Sequence, residues 1–219
     1  ALAAVDYHIA GLERAGQVNI PMLVKDMTPR GDAAADLMTR FLQTYHADAA
    51  LMPLTKFAQT ARDADYDPVA LSHQFHAPVD AVLRRLSSLL AADGHLPMGL
   101  AVADASGAML FRKPVSGFAL PRAGAGCPLW PLFTAFGRPN QPIRAEVALP
   151  DATEQRFLCY AIATPVGAAG FDVPPVLHAT MLIIPDPAQG TTEPIPGGVS
   201  CRICPRDGCA ARREPSAIR

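Results

Sequence analysis

The sequence predicts an α+β protein, in which a helical N-terminal segment precedes an antiparallel-sheet domain and a cysteine-rich C-terminal segment. Three observations lead to this prediction. Apolar residues recur at helical spacing before Gly94, short apolar runs follow it, and three of the five cysteines cluster near the C-terminus. We therefore divide the chain into a helical segment (1–94), an α+β domain (95–190) and a cysteine-rich segment (191–219).

A proline or an aspartate marks the start of each of four predicted helices. These residues are Asp32, Pro53, Asp67 and Pro78. The helix after Asp32 is expected to present an apolar face made by Leu37, Met38, Phe41, Leu42 and Tyr45. The last of the four helices is expected to end at Gly94, because glycine adopts the left-handed conformation of a helix C-cap at little cost.

Short apolar runs after Gly94 predict β-strands. They are Leu100–Val102, Met109–Phe111, Ile143–Leu149, Phe157–Ala163 and His178–Ile184. The first two flank a turn-forming stretch at residues 104–107, so we expect them to form a hairpin. A short helix is predicted at Pro128–Phe136. Strands around a short helix are typical of small ligand-sensing domains of the PAS or GAF type.

Composition limits the classes of function. The net charge of −1 argues against nucleic acid held by bulk electrostatics, because phosphate binding needs a basic surface. No apolar stretch reaches the roughly eighteen residues of a membrane span, and no secretory signal is recognisable. We therefore expect a cytoplasmic protein without membrane contact, whose cysteines are thiols or metal ligands before they are disulfides.

The C-terminal cysteines have the spacing Cys-x2-Cys-x4-Cys, at Cys201, Cys204 and Cys209. Two thiolates three positions apart on a turn can reach one metal ion. We expect Cys127 to be the fourth ligand, because it lies in a loop before the predicted helix. Its thiolate should be exposed and stabilised by the helix N-terminus.

Four cysteine ligands suit either an iron–sulfur cluster, which we slightly favour, or tetrahedral zinc. Four arginines near the cysteines could offset the negative charge of either centre: Arg202, Arg206, Arg212 and Arg213. The alternatives are thiols that bind no metal, or a disulfide between Cys201 and Cys204. Cys159 lies inside an apolar run, so we interpret it as a buried core thiol.

Candidate ligand-binding residues lie near Cys127. Trp130 and Phe133 share the predicted short helix, where they either pack in the core or line a pocket for an acyl chain or a base. Arg122, just upstream, could hold a phosphate. No catalytic residue is assigned, because the sequence contains no H-E-x-x-H, G-x-S-x-G or phosphate-binding glycine motif. We predict that the chain is not an enzyme.

Residues 71–89 have some helix-turn-helix character. Arg84 and Arg85 on the second helix could contact phosphates. However, Asp80 lies in the first turn of that helix, where a negative charge opposes contact with DNA. We therefore favour a structural role for this helix pair.

Taken together, Cys127–Trp130 and Cys201–Arg212 resemble the C-terminal domain of the short-chain fatty acyl-CoA regulators, which are bacterial transcriptional regulators of the xenobiotic-response-element type. The stretch Ala49–Pro53, followed by Leu71–Leu89, looks like the tail of the metallopeptidase-like domain that precedes this sensor. The resemblance covers residues 48–215. The zinc motif of the peptidase is absent, so we carry over no catalytic role.

The resemblance implies that this chain is the effector-sensing part of a bacterial transcriptional regulator. Its signal would be a short-chain acyl-CoA, or the redox state through the cysteine centre. DNA would be contacted by a helix-turn-helix domain that is missing from this sequence, and a homodimer is expected. Two alternatives stay open: a cysteine-dependent hydrolase or thioesterase that uses Cys127 with His95 or His178 as base, and a structural zinc-bearing interaction module.

Overall fold

A computed structural model gives the fold of two compact units, Ala1–His95 and Leu96–Arg219. It describes residues 2–13, 18–122, 124–150, 155–167, 170–185 and 193–218. The domain boundary predicted between residues 190 and 191 lies outside the described residues. No helix in the described ranges is long and apolar enough to cross a membrane.

The first unit is helical, as predicted. Its helices are α1 (Ile20–Asp26), α2 (Asp32–Leu51), α3 (Leu54–Asp63), α4 (Pro68–Phe75) and α5 (Val79–Ser87). Asp67 caps α4 as expected, since its carboxylate accepts hydrogen bonds from the backbone N–H groups of Val69 at 2.8 Å and Ala70 at 3.0 Å. α3 and α5 start directly after Pro53 and Pro78.

Three local predictions for this unit are wrong. The N-cap of α2 is Gly31 at φ 85°, so Asp32 lies inside the first turn and makes no capping bond. Leu37 is 70% exposed, because the buried stripe of α2 follows Leu42 and Tyr45 instead. Gly94 ends the short 3₁₀ turn Ala91–Asp93, since α5 has already ended at Ser87.

The pair α4 and α5 does not offer the arginines to phosphates. Arg84 bonds Asp48 and Asp80, each at 2.7 Å. Arg85 is 1% exposed and its guanidinium is held by Glu13 at 2.6 Å. Both charges are therefore used inside the helical unit, which supports the structural interpretation of this helix pair.

The second unit contains a six-stranded sheet, so the α+β class is confirmed. Its strands are β1 (Gly99–Asp104), β2 (Met109–Lys113), β3 (Ile143–Ala148), β4 (Arg156–Val166), β5 (Val176–Pro185) and β6 (Ile195–Pro196). The order across the sheet is β2-β1-β5-β4-β3-β6. Neighbours run antiparallel except β3 and β6, which pair in parallel. The sequence predicted every strand except β6.

One face of this sheet packs against the short helix α6 (Pro131–Thr134) and the loop before it. Trp130, which is fully buried, lies at the centre, with the Phe118 ring 5.1 Å from it between ring centroids. Cys159 on β4 belongs to the same core and is 0% exposed, which confirms the interpretation of a core thiol. The PAS or GAF assignment stays a prediction.

Candidate metal centre in the C-terminal segment

The C-terminal segment reaches the cysteine cluster along the edge of the sheet. β6 pairs with β3 through Val147 and Ile195, and the chain then passes Gly197 and Gly198 to a 3₁₀ turn at Cys201–Ile203. The side chain of Trp130 fixes this path, because its Nε1 donates to the carbonyl oxygen of Gly198 at 2.8 Å. The cysteine cluster is thereby held next to the loop that carries Cys127.

The four cysteines predicted as ligands line one small pocket: Cys127, Cys201, Cys204 and Cys209. All four are free thiols, so the structure contains no Cys201–Cys204 disulfide. Across the described ranges, no group of three or more His, Cys, Asp or Glu side chains stands in an arrangement that holds a metal ion. The donor set nevertheless suits the predicted groups, since four thiols are the ligands that zinc and iron–sulfur clusters take.

Two glycines leave the space that this pocket needs. A Cβ on Gly198 would lie 2.9 Å from the Sγ of Cys204, and a Cβ on Gly126 would lie 2.5 Å from the Trp130 ring. Any side chain at either position would push a cysteine-bearing segment away from the pocket. Glycine at position 198 therefore fits the close approach of the chain to the Cys204 sulfur, and glycine at position 126 fits the packing of the Cys127 loop on Trp130.

Cys127 differs from its prediction. It is 7% exposed, and α6 begins only at Pro131, so its thiol is neither exposed nor at a helix N-terminus. Burial raises the pKa of the Cys127 thiol, and the Cys201 and Cys204 sulfurs add to that rise. Backbone N–H groups of Leu129 and Gly198 donate to the sulfur and lower the pKa in part.

Cys201 has the opposite electrostatic environment. Burial alone would raise its pKa, but backbone N–H groups of Arg213 and Glu214, together with the Arg213 guanidinium, outweigh burial and lower the pKa. The N–H of Arg213 lies 3.5 Å from the Cys201 Sγ. The thiolate form that a metal requires is therefore favoured at Cys201 before any metal binds.

Besides the charge that Arg213 brings to Cys201, the arginines make bonds that the sequence did not predict. Three of them bind backbone carbonyl oxygens: Arg206 those of Gly197 and Ala148 at 3.0 Å, Arg213 that of Gly126 at 2.8 Å, and Arg212 those of Cys201 and Cys204 at 3.2 Å. Arg202 is exposed and lies 3.7 Å from Glu214. The sequence did not predict these bonds, because the spacing of the arginines does not indicate which backbone carbonyl groups lie near them in the fold.

The predicted ligand-binding residues lie in different environments. Trp130 is in the core, and Phe133 is half-buried with its ring stacked near that of Trp130, at 6.2 Å between centroids. Arg122 is exposed. The core interpretation of Trp130 is therefore supported, while a ligand-binding role for these residues stays a prediction.

The two histidines considered as bases for Cys127 are differently placed. The ring nitrogens of His95 are 3.1 Å from Arg62 Nη1 and 3.2 Å from the Tyr66 hydroxyl. His178 on β5 precedes the core residue Ala179, so it points to the other face of the sheet from the Cys127 core. Neither observation supports a cysteine–histidine catalytic pair.

The comparison with protein families decides the relationship. The model of the short-chain fatty acyl coenzyme A regulator, C-terminal, matches residues 91–219, which include the whole cysteine pocket. This chain belongs to that family. The match begins beside Gly94, so it does not test the metallopeptidase-like tail expected in the helical segment.

Its curated relatives in the short-chain fatty acyl-CoA regulator family are transcriptional regulators. The chain is 33% identical over 188 residues to a propionyl-CoA carboxylase regulator of Cereibacter sphaeroides, with 80% of this chain and 40% of the relative covered. It is 28% identical over 191 residues to the HTH-type transcriptional regulator PrpR of Mycobacterium tuberculosis, covering 80% and 38%. The chain thus spans about 40% of the length of these relatives.

A solved structure shows the same fold. The chain superposes on a Mycobacterium tuberculosis transcriptional regulator with a TM-score of 0.74 at 25% sequence identity. The superposition covers 90% of this chain and 64% of that protein. The superposed residues therefore come from both units of this chain.

Proposed function

We propose that this chain is the effector-sensing part of a cytoplasmic transcriptional regulator of acyl-CoA metabolism, with a metal centre held by Cys127, Cys201, Cys204 and Cys209. The observation that carries the proposal is the convergence of these cysteines on one pocket within the family-matched region. The DNA contact is assigned to a helix-turn-helix domain outside these residues, as in the relatives named HTH-type regulators. The assembly would be a homodimer.

An iron–sulfur cluster, slightly favoured, or a zinc ion would occupy the cysteine pocket. A cluster would supply a redox-active charge beside the sheet, whereas zinc would cross-link the C-terminal segment to the Cys127 loop. The chain's own residues prepare the pocket in both cases. Arg212 bonds the carbonyl oxygen of Cys204, and Arg213 bonds that of Gly126 in the Cys127 loop. Gly198 leaves space beside the Cys204 sulfur.

The metal proposal is tested by anaerobic purification, followed by an absorption spectrum and analysis for iron, sulfide and zinc. Iron with sulfide in near-equal amounts supports the cluster; zinc alone supports the structural centre. The matched variants are Cys204→Ser in the pocket and Cys159→Ala in the core. We expect Cys204→Ser to lose metal and Cys159→Ala to keep it. Equal metal contents in the two variants would contradict the proposed ligand set.

The proposed effector is a short-chain acyl-CoA. The name of the Cereibacter relative, a propionyl-CoA carboxylase regulator, supports this choice. Phe133 would contact the apolar part of the ligand, next to Trp130, and Arg122 would contact a phosphate. Isothermal titration with propionyl-CoA tests this assignment, with free coenzyme A as the reference ligand. Arg122→Ala should weaken binding, whereas Arg138→Ala, another exposed arginine of the same unit, should not.

A structural zinc module is the second candidate. The bonds from Arg206 and Arg213 to backbone carbonyl oxygens favour this candidate, because they hold the C-terminal segment against the sheet domain. A purely structural metal ion would add to that role. This candidate predicts one zinc per chain and no binding of acyl-CoA. Binding of propionyl-CoA by the zinc-loaded protein would rule it out.

A further inference from the structure

We propose that the four cysteines are unequal ligands, in which Cys127 and Cys201 anchor the metal and Cys209 is the exchangeable position. This inference rests on the metal centre proposed above. It is carried by the burial of each side chain and by the hydrogen bonds that hold the segment around each sulfur. Both differ sharply within one pocket.

Cys127 is the most firmly supported of the four. It is 7% exposed, and its sulfur lies beside the backbone N–H groups of Leu129 and Gly198. Trp130 holds both Cys127 and Gly198: its own N–H bonds the carbonyl oxygen of Cys127 at 3.1 Å, and its Nε1 bonds that of Gly198 at 2.8 Å. A thiolate here is held in place by groups that belong to the core of the sheet domain.

Cys201 is supported from the C-terminal side. Its sulfur accepts from the backbone N–H groups of Arg213 and Glu214, the former at 3.5 Å. Arg213 is itself tied to the Cys127 loop, since its guanidinium donates to the carbonyl oxygen of Gly126 at 2.8 Å. The two anchoring sulfurs are therefore linked to one another through a single residue.

Cys209 has none of this support. Its side chain is only half-buried, and within the described part of the chain no N–H donor reaches its sulfur. It follows Gly208, whose φ is +64°, and its carbonyl accepts one bond, from the N–H of Arg212 at 3.1 Å. Cys204 is intermediate, since it is 8% exposed and packs against Gly198 without such a donor.

Donors to a metal-bound sulfur stabilise its negative charge and fix its direction, so a ligand that lacks them dissociates more readily. Water also reaches an exposed sulfur. The metal should therefore release Cys209 first and retain Cys127 and Cys201. A coordination position that opens in this way can accept a small thiol or another soft donor from solution.

Cobalt(II) provides the test, because the intensity of its sulfur-to-metal absorption reports the number of thiolate ligands. We would titrate reduced, metal-free wild type and the variants Cys127→Ser, Cys209→Ser and Cys159→Ala. We expect Cys209→Ser to bind cobalt with about three-quarters of the wild-type charge-transfer intensity, since three of the four thiolates remain. Cys127→Ser should lose binding, and Cys159→Ala should match the wild type. Equal losses in the two pocket variants would overturn the inference.

A second measurement needs no variant. The cobalt-loaded wild type is treated with iodoacetamide, and the modified cysteines are identified by peptide mass spectrometry at successive times. Cys209 should be alkylated first; modification of Cys127 or Cys201 at the same rate would overturn the inference. If wild type takes up no cobalt, the zinc form of the centre fails, and the alkylation is then followed on protein purified anaerobically with its own metal. If that protein holds no iron, sulfide or zinc either, the proposed metal centre fails and the ligand order fails with it. If wild type loads normally but alkylates evenly, only the ligand order fails.

Discussion

Arg85 is the most deeply buried charged residue among the described residues of the helical unit. Its guanidinium bonds both carboxylate oxygens of Glu13, at 2.7 and 2.6 Å, and the carbonyl oxygen of Met52 at 2.9 Å. The Tyr45 hydroxyl also donates to Glu13. These bonds tie residues near the N-terminus to α5, so this part of the unit depends on one buried ion pair.

We expect Arg85→Ala to destabilise the helical unit by about 3–5 kcal/mol, because Glu13 is left buried without its counter-charge. Urea unfolding followed by helical circular dichroism measures the change. Arg40→Ala on α2 is the matched control, since this arginine is exposed and should change stability by less than about 0.5 kcal/mol. If the two variants lose the same free energy of unfolding, the buried ion pair does not stabilise the unit more than an exposed arginine does.

The environment of His95 leads us to expect that the free energy of unfolding depends on pH. Burial, and then the Arg62 charge, lower the pKa of His95 below its usual 6.5. Arg62 donates to Nε2, so the folded state holds the neutral ring, whereas the unfolded chain becomes protonated as the pH falls below about 6.5. Stability should therefore fall from pH 6.5 down to the lowered pKa and then level off.

The measurement is the free energy of unfolding across this pH range for wild type, His95→Gln and His73→Gln. His95→Gln should flatten the decline below about pH 6.5, because it removes the titrating group. His73 is exposed, so His73→Gln should keep the wild-type profile. A decline that survives in His95→Gln would assign the pH dependence to another group.

At the scale of elements, the loop before α6 depends on Gly126. The Cβ of an alanine there would lie 2.5 Å from the Trp130 ring, which is fully buried and cannot yield. We expect Gly126→Ala to cost about 1–3 kcal/mol through overpacking. Thermal unfolding followed by the fluorescence of Trp130 reports this loss, and metal content reports the displacement of Cys127.

Gly137→Ala is the control for this substitution. A Cβ at Gly137 meets nothing within 4 Å, and no positive φ strains an alanine there. This variant should keep the wild-type melting temperature. If Gly126→Ala is equally well tolerated, the loop has more freedom than its packing against Trp130 implies.

The elements also show how far sequence reasoning reached. The five longer strands were predicted from short apolar runs, as in Phe157–Ala163, where most residues are buried. β6 was missed, since two residues carry no periodicity. The cysteine spacing predicted the residues of the pocket, but the bonds from Arg206 and Arg213 depend on long-range contacts that no local pattern encodes.

At the scale of the whole molecule, charge is nearly balanced. The net charge is −1, and the arginines of α5 are bonded to carboxylates within the helical unit. Helix α5 also buries most of its residues, so it has no free face for a DNA groove. The arginines of α5 are therefore used within the helical unit and are not offered to DNA.

We expect the 219-residue chain to show no measurable binding to duplex DNA at about 50 mM salt, where non-specific electrostatic binding would be strongest. Fluorescence anisotropy with a labelled duplex makes this measurement. A longer protein that includes a helix-turn-helix domain should bind the same duplex. Tight binding by the 219-residue chain would contradict the assignment of DNA contact to another domain.

The pairing of β6 with β3 has a consequence for solubility. Without β6, the backbone groups of β3 at Val147 and Ala148 would also be open on that side of the sheet and available to another molecule. The segment that carries Cys201, Cys204 and Cys209 therefore also shields a strand from intermolecular pairing. Proteolytic removal of this segment would release the cysteines and, at the same time, turn the sheet domain into a protein that aggregates through β3.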